Sequence, residues 1–96
     1  MRAGAPAAVG APTDSDTQSD EALMSAYADG DASAFDVLYE RHKGPLYRYF
    51  TRQLSESEAN DCFQILWEKL IGNRDRYRPD SAFKSYLFTI AHNVLM

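Results

Sequence analysis

The chain has 96 residues, room for one domain, and its first nineteen carry two of the four prolines and two of the five glycines but no aromatic residue. The remaining residues, about 77, supply six Tyr, five Phe and one Trp, enough bulk for a small domain that buries roughly 60% of its unfolded surface. A lone cysteine, Cys62, excludes an intramolecular disulfide framework and any multi-cysteine zinc site, and reads as a reducing compartment.

No run approaches the ~18 apolar residues of a membrane span. Pro6, Gly10 and Pro12 interrupt the start before the apolar stretch of a secretory signal can form. The expectation is a cytoplasmic protein with no membrane association. The net charge of −4 conceals an asymmetry: residues 1–39 hold seven acids against Arg2 alone (−6), whereas residues 40–96 hold nine Lys/Arg against seven acids (+2). The acidic front half therefore masks a back half that can approach phosphates.

Residues 1–19 are rich in Ala, Pro, Gly, Ser, Thr and Asp without apolar period, and are expected to form a disordered tail, because ordering them buries almost nothing. From position 20 the pattern is helical. Asp20 is placed to cap a short helix carrying Leu23, Ala26 and Tyr27, which Gly30 stops with a left-handed residue. Asp31 caps a second helix, whose Phe35, Leu38, Tyr39, Leu46, Tyr49 and Phe50 recur at three- and four-residue spacing. Pro45 should kink it without ending it, since the period resumes in phase at Leu46.

Ser55 and Glu58 have capping-box spacing before a third helix with Ala59, Cys62, Phe63, Leu66, Trp67, Leu70 and Ile71 on one stripe, ending at Gly72-Asn73. After the polar stretch 73–80, Pro79-Asp80-Ser81 announces a fourth helix with Phe83, Tyr86, Leu87, Ile90, Ala91 and Val94 along one side. No segment alternates as a strand does. The fold class is all-α, a bundle of about four helices over residues 20–96. The last helix reaches Met96 with no stop signal, so the stretch reads as truncated within it.

Catalysis finds little support. His42 and His92 stand fifty residues apart in no metal-binding spacing, and neither a glycine-rich phosphate loop nor a nucleophile elbow is present. Cys62 on an apolar stripe reads as a small hydrophobe. No cofactor or metal is expected. The informative segment is 73–80, where Arg74, Arg76 and Arg78 alternate with Asp75, Tyr77 and Pro79. Arginine pairs with phosphate, and an exposed tyrosine offers a stacking platform worth about 1–3 kcal/mol per base. The same composition also describes a solvated loop whose arginines pair with Asp75 and Asp80 and whose tyrosine covers the edge of the core. Composition alone favours that second reading. Lys84, Ser85, Phe88, Thr89, His92 and Asn93, opposite the apolar stripe of the fourth helix, make a polar face with one aromatic residue that suits a nucleic acid.

The strings AFDVLYERHKGPLYRYF, EANDCFQILWEKL and DRYRPDSAFKSYLFTIAHN resemble region 2 of bacterial RNA polymerase sigma factors of the extracytoplasmic-function (ECF) group. In that family the third helix reads Ala-Glu-Asp-x-x-Gln-Glu with an aromatic residue following, and the fourth reads Ser-Phe-x-x-Trp-Leu-x-x-Ile-Ala-x-Asn. Here these are Ala59-Asn60-Asp61-x-x-Gln64-Ile65 with Trp67, and Ala82-Phe83-x-x-Tyr86-Leu87-x-x-Ile90-Ala91-x-Asn93. The resemblance implies recognition of the promoter −10 element and capture of the non-template strand during transcription initiation, without bond chemistry. It implies contacts of Asp61 and Gln64 with the β′ clamp coiled coil of RNA polymerase core. It places Tyr77, Arg78 and Ser81 in a pocket for a base flipped from the −10 element, with Asn93 beside it and Arg74, Arg76, Arg78 and Lys84 available to phosphates. An anti-sigma factor and a further domain reading the −35 element are also implied. Ile65 and Asn60 depart from the family by removing acidic groups from the polymerase-facing surface. The rival class is a helical interaction module, an adaptor whose basic loop binds an acidic protein.

Overall fold

Each helix begins where a side chain can satisfy N–H groups that have no partner within the helix, and the computed structural model shows which side chain does so. It describes residues 17–78 and 82–96. The tail residues 1–16 and the positions Pro79, Asp80 and Ser81 lie outside the described residues, and with them the expected tail disorder and the pocket role of Ser81.

Helix α1 runs Asp20–Ala28, and its cap is Ser19, whose hydroxyl accepts from the Ala22 N–H at 3.1 Å. This corrects the assignment to Asp20. Ser19 has the extended backbone that a cap requires (φ −69°, ψ 157°), while Asp20 lies one residue inside and reaches across to another helix. The chain then reverses at Gly30, whose φ of +111° is left-handed as expected.

Helix α2 (Ala32–Thr51) is capped by Asp31, which accepts from the Ser33 N–H at 3.0 Å and the Ser33 hydroxyl at 2.6 Å. The hydroxyl bond holds the Asp31 carboxyl below the usual carboxylate value. A carboxyl depressed on folding stabilises the fold above its unfolded pKa, so this contribution is present at neutral pH and lost in acid. The helix runs through Pro45 without ending. The lost bond to the Arg41 carbonyl is outweighed because Leu38 and His42 before the proline and Leu46 and Phe50 after it stay buried on one stripe.

Helix α3 (Glu56–Gly72) opens with the expected capping box: Ser55 accepts from the Glu58 N–H, and the Glu58 carboxylate accepts from the Ser55 N–H, each at 3.2 Å. A single 3-10 turn, Arg74–Arg76, follows, and then helix α4 (Phe83–Leu95). Ala82 occupies the α4 cap position and has no capping side chain. Glu21 supplies the acceptor from α1, taking the Phe83 N–H at 2.7 Å across 62 residues of sequence.

The described residues are all-helical, with α2 touching the other three helices and α1 reaching the 3-10 turn. Leu23, Met24, Leu38, Leu46, Phe50, Leu66, Leu70, Phe83 and Leu87 are sealed from solvent at the centre. Phe35, Phe63 and Ile90, expected in the core, are half-buried and pack on its edge. His42 is buried: its Nε2 lies 3.0 Å from the Asp20 carboxylate and its ring 5.4 Å from Phe83. Asp20 also receives Arg41 Nη1 at 2.9 Å. Two adjacent acids on α1 thus tie down both α2 and the start of α4.

A charged acceptor at a helix start with no other capping side chain among the described residues is worth about 1.5–3 kcal/mol. Glu21→Ala is expected to lower unfolding stability by that amount in urea titration, with most of it recovered in Glu21→Gln, which keeps an acceptor oxygen. Equal losses in the two variants would contradict the capping role.

Candidate nucleic-acid interface

The end of α3, the 3-10 turn and the flank of α4 enclose a cleft of about 360 Å³ lined by Lys69, Asn73, Arg76, Tyr86, Ile90 and Asn93. Helical periodicity builds both walls. Lys69 and Asn73 are four residues apart on α3, and Tyr86, Ile90 and Asn93 follow the i, i+4, i+7 stripe of α4. Asn73 closes the end of α3 by donating from its side chain to the Lys69 carbonyl at 2.9 Å. The cleft therefore offers two cations, two amide side chains and one ring. Burial raises the Tyr86 phenol above its ordinary value, so that group stays neutral and keeps its O–H through mildly alkaline pH.

Tyr77, for which composition leaves both an exposed stacking platform and a cover for the core edge open, is only 8% exposed and takes the second place. Its ring packs edge-on against Tyr86 at 5.1 Å and Phe83 at 6.0 Å. The physical reason is that the 3-10 turn brings Tyr77 back over the apolar start of α4, where burying a ring is worth more than exposing it. The aromatic surface presented to the cleft belongs to Tyr86, and Tyr77 stands behind it.

The arginines of this segment separate. Arg74 turns away from the cleft, donating to the Ile71 carbonyl at 2.8 Å and covering the Tyr27 ring of α1 at 5.6 Å. Arg76 lines the cleft, Arg78 is exposed beyond it, and Lys84 is exposed on the first turn of α4. Asn93 is exposed at the cleft's far end.

A different surface of α3 carries Asp61 and Gln64, both exposed and one turn apart. Ile65 beside them is 40% exposed. The same face continues into a groove of about 380 Å³ lined by Tyr39, Asn60, Phe63, Gln64, Trp67, Glu68 and Ile71. Tyr39, Phe63 and Trp67 form its aromatic floor, with centroids 5.0–6.2 Å apart. Trp67 Nε1 is buried and meets no acceptor among the described residues. Polar groups around exposed apolar area mark a protein-binding face more than a solvated one.

Residues 38–96, which include both the groove helix and the cleft, match the family model described as Sigma-70 region 2. The chain belongs to the Sigma-70 region 2 family. This region 2 chain is 31% identical to the ECF RNA polymerase sigma-E factor of Haemophilus influenzae over 77% of its own length, and 32% identical to the RNA polymerase sigma factor CarQ of Myxococcus xanthus over 73%. It is 29% identical to the ECF RNA polymerase sigma-E factor of Escherichia coli K12 over 82%. The matches cover 39–41% of those proteins, so the chain spans about two fifths of the length of its curated relatives.

Within the region 2 domain, sequence reasoning selected Arg76 and Asn93 for the nucleic-acid side but missed Lys69, Asn73 and Tyr86 as their neighbours. The signal was present. Asn73 was read as a helix stop and Tyr86 as part of the apolar stripe of α4 with Asn93 on the opposite face, although the i, i+7 spacing of Tyr86 and Asn93 places them on one stripe. Among the described residues no cluster of His, Cys, Asp or Glu could hold a metal ion, and no helix is long and apolar enough to cross a membrane.

Proposed function

We propose that this chain is the part of an ECF-type sigma factor that captures one strand of the promoter −10 element as the duplex opens. The observation carrying this reading is the cleft itself. A half-buried ring, two amide side chains and two cations converge on one opening, which is the chemistry that an unstacked base and its phosphate require. Tyr86 takes the base face, Asn93 and Asn73 take its polar edge, and Arg76, Lys69, Arg78 and Lys84 face the backbone. Tyr77 acts through Tyr86, and Ser81 is assigned to the pocket on the family resemblance alone.

No bond chemistry is involved. Unpairing a base costs a few kcal/mol, and one stack of about 1–3 kcal/mol plus edge hydrogen bonds offsets that cost only for separated DNA. Asp61 and Gln64, on the other face, contact the β′ clamp coiled coil of RNA polymerase core, with the groove beside them available to that partner and to an anti-sigma factor. The placement of the sites on separate faces supports simultaneous engagement of polymerase and DNA.

Asn93 is exposed, so Asn93→Ala should leave folding within about 0.5 kcal/mol of the parent chain. Its affinity for a single-stranded −10 oligonucleotide should fall, and its discrimination between bases should narrow, as read by fluorescence anisotropy across a panel of sequences. Undiminished discrimination would remove Asn93 from the base edge.

A further inference from the structure

The strand-capture reading leaves one basic pocket unused. On the other side of α4 from the cleft, a cavity of about 240 Å³ is lined by Pro45, Arg48, Tyr49, Arg52 and Phe88. Arg48 in the last turn of α2 and Arg52 at its C-terminal cap are four residues apart, both exposed, and neither has a carboxylate within ion-pair distance among the described residues. Arg48 lies back over the preceding turn: its Nη1 is 3.4 Å from where a Cβ at Gly44 would stand, so the absence of a side chain there leaves the guanidinium room. Tyr49 and Phe88, which line the same cavity, meet edge to face at 5.5 Å, both half-buried.

Cations at a helix end ordinarily complement the carbonyls left open there, and Arg48 and Arg52 stand at the end of α2. That role needs charge alone. It gives no reason for a cavity, for a ring pair lining that cavity, or for the continuation of the patch onto α4, where Lys84 and His92 flank Phe88 at four-residue spacing. A ridge one helix wide, about 10–12 Å, separates this pocket from the cleft. Its crest carries exposed Ser85, Thr89 and His92 and no acid. The acids of the described chain lie elsewhere, on α1, in the turn after it, on the first half of α2, on α3 and at Asp75.

We propose that Arg48 and Arg52 form a second nucleic-acid contact, holding a phosphodiester of the same single strand a few nucleotides from the base in the cleft, with Tyr49 and Phe88 supporting the adjoining sugar or base. The inference rests on the strand-capture reading, since it assigns a continuing path to the strand that the cleft engages. Arg48 takes the phosphate between its fork and that of Arg52, and the strand crosses α4 at Ser85 and Thr89.

The test is titration of the 15N-labelled 96-residue chain at low salt with a single-stranded oligodeoxynucleotide of twelve residues, observing the arginine Nε–H signals and the Asn73 and Asn93 side-chain amides. Movement of both the Arg48/Arg52 signals and the amides supports the second contact. Movement of the amides alone overturns it and leaves strand capture standing. Movement of Arg48 and Arg52 alone keeps the phosphate site and overturns strand capture in the cleft. Movement of neither overturns both. Arg48→Gln/Arg52→Gln should lower the slope of log affinity against log salt by about 0.7, the value for one single-strand phosphate contact. Lys43→Gln, whose lysine is paired with Glu40, should leave it unchanged. An equal response of the Arg48 and Arg52 signals to a poly-glutamate peptide of matched charge would assign the pocket to acidic protein and overturn the proposal.

Discussion

Alanine at Tyr77 is expected to cost about 3–5 kcal/mol of unfolding free energy, the usual penalty for deleting a buried aromatic side chain. The ring fills the space between the 3-10 turn and α4, touching Phe83 and Tyr86, and Phe83 in turn packs on His42 of α2. Its removal opens a cavity where three elements meet. Small domains have only about 5–15 kcal/mol in total, so the variant should sit near the edge of folding. Urea unfolding of Tyr77→Ala beside Tyr77→Phe measures this directly, and the phenylalanine, which keeps the ring contacts, should cost far less. A loss below about 1 kcal/mol in Tyr77→Ala would mean that the ring is turned outward. Failure of Tyr77→Ala to open a promoter would accordingly report lost packing, not a lost stack. Tyr86→Leu probes stacking more cleanly, because it removes the aromatic face and keeps apolar bulk at the cleft wall.

Asp61→Arg is the second large effect. Asp61 is exposed on α3, so the substitution should change unfolding stability by no more than about 0.5 kcal/mol. Under the proposed function it faces a cationic site on the polymerase clamp. Reversing a charge in such a contact replaces attraction with repulsion and costs about 2–5 kcal/mol, a thirtyfold loss of affinity or more. Calorimetric titration of a β′ clamp coiled-coil fragment checks this, with Gln64→Ala expected to give a smaller loss on the same face. Unchanged affinity in Asp61→Arg would remove this face of α3 from the polymerase interface.

These two residues also show what the sequence makes legible. Local signals were read well: Asp31, Gly30 and the Ser55–Glu58 box act within a few residues of their own position, and their short-range chemistry is the same in any fold. The apolar periods placed the core for a similar reason. Misreadings arose where a bond spans the chain. Asp20 looked like a cap because nothing nearby in sequence reveals Arg41 and His42, which lie 21 and 22 residues away. Glu21 capping α4 across 62 residues has no local trace at all.

Tyr77 belongs to the same class. In a segment without period, composition says that a ring is present, and only the apolar surface that folds up against it decides which way it faces. Arg74 is similar, since its place over the Tyr27 ring of α1 has no trace in the composition of its own segment. The cleft was half legible for the opposite reason. Arg76 and Asn93 were selected by residue type, whereas Lys69, Asn73 and Tyr86 join them only when α3 and α4 are laid side by side.

Comparison of single-stranded with duplex DNA bears most directly on the account. The chain, assembled with RNA polymerase core, should be titrated at fixed salt with a −10 sequence as a single strand and as the same sequence fully paired. Tighter binding of the single strand is predicted, with the preference reduced in Tyr86→Leu and Asn93→Ala. Equal affinity for the two forms, or preference for the duplex in the parent chain, would contradict strand capture by this cleft.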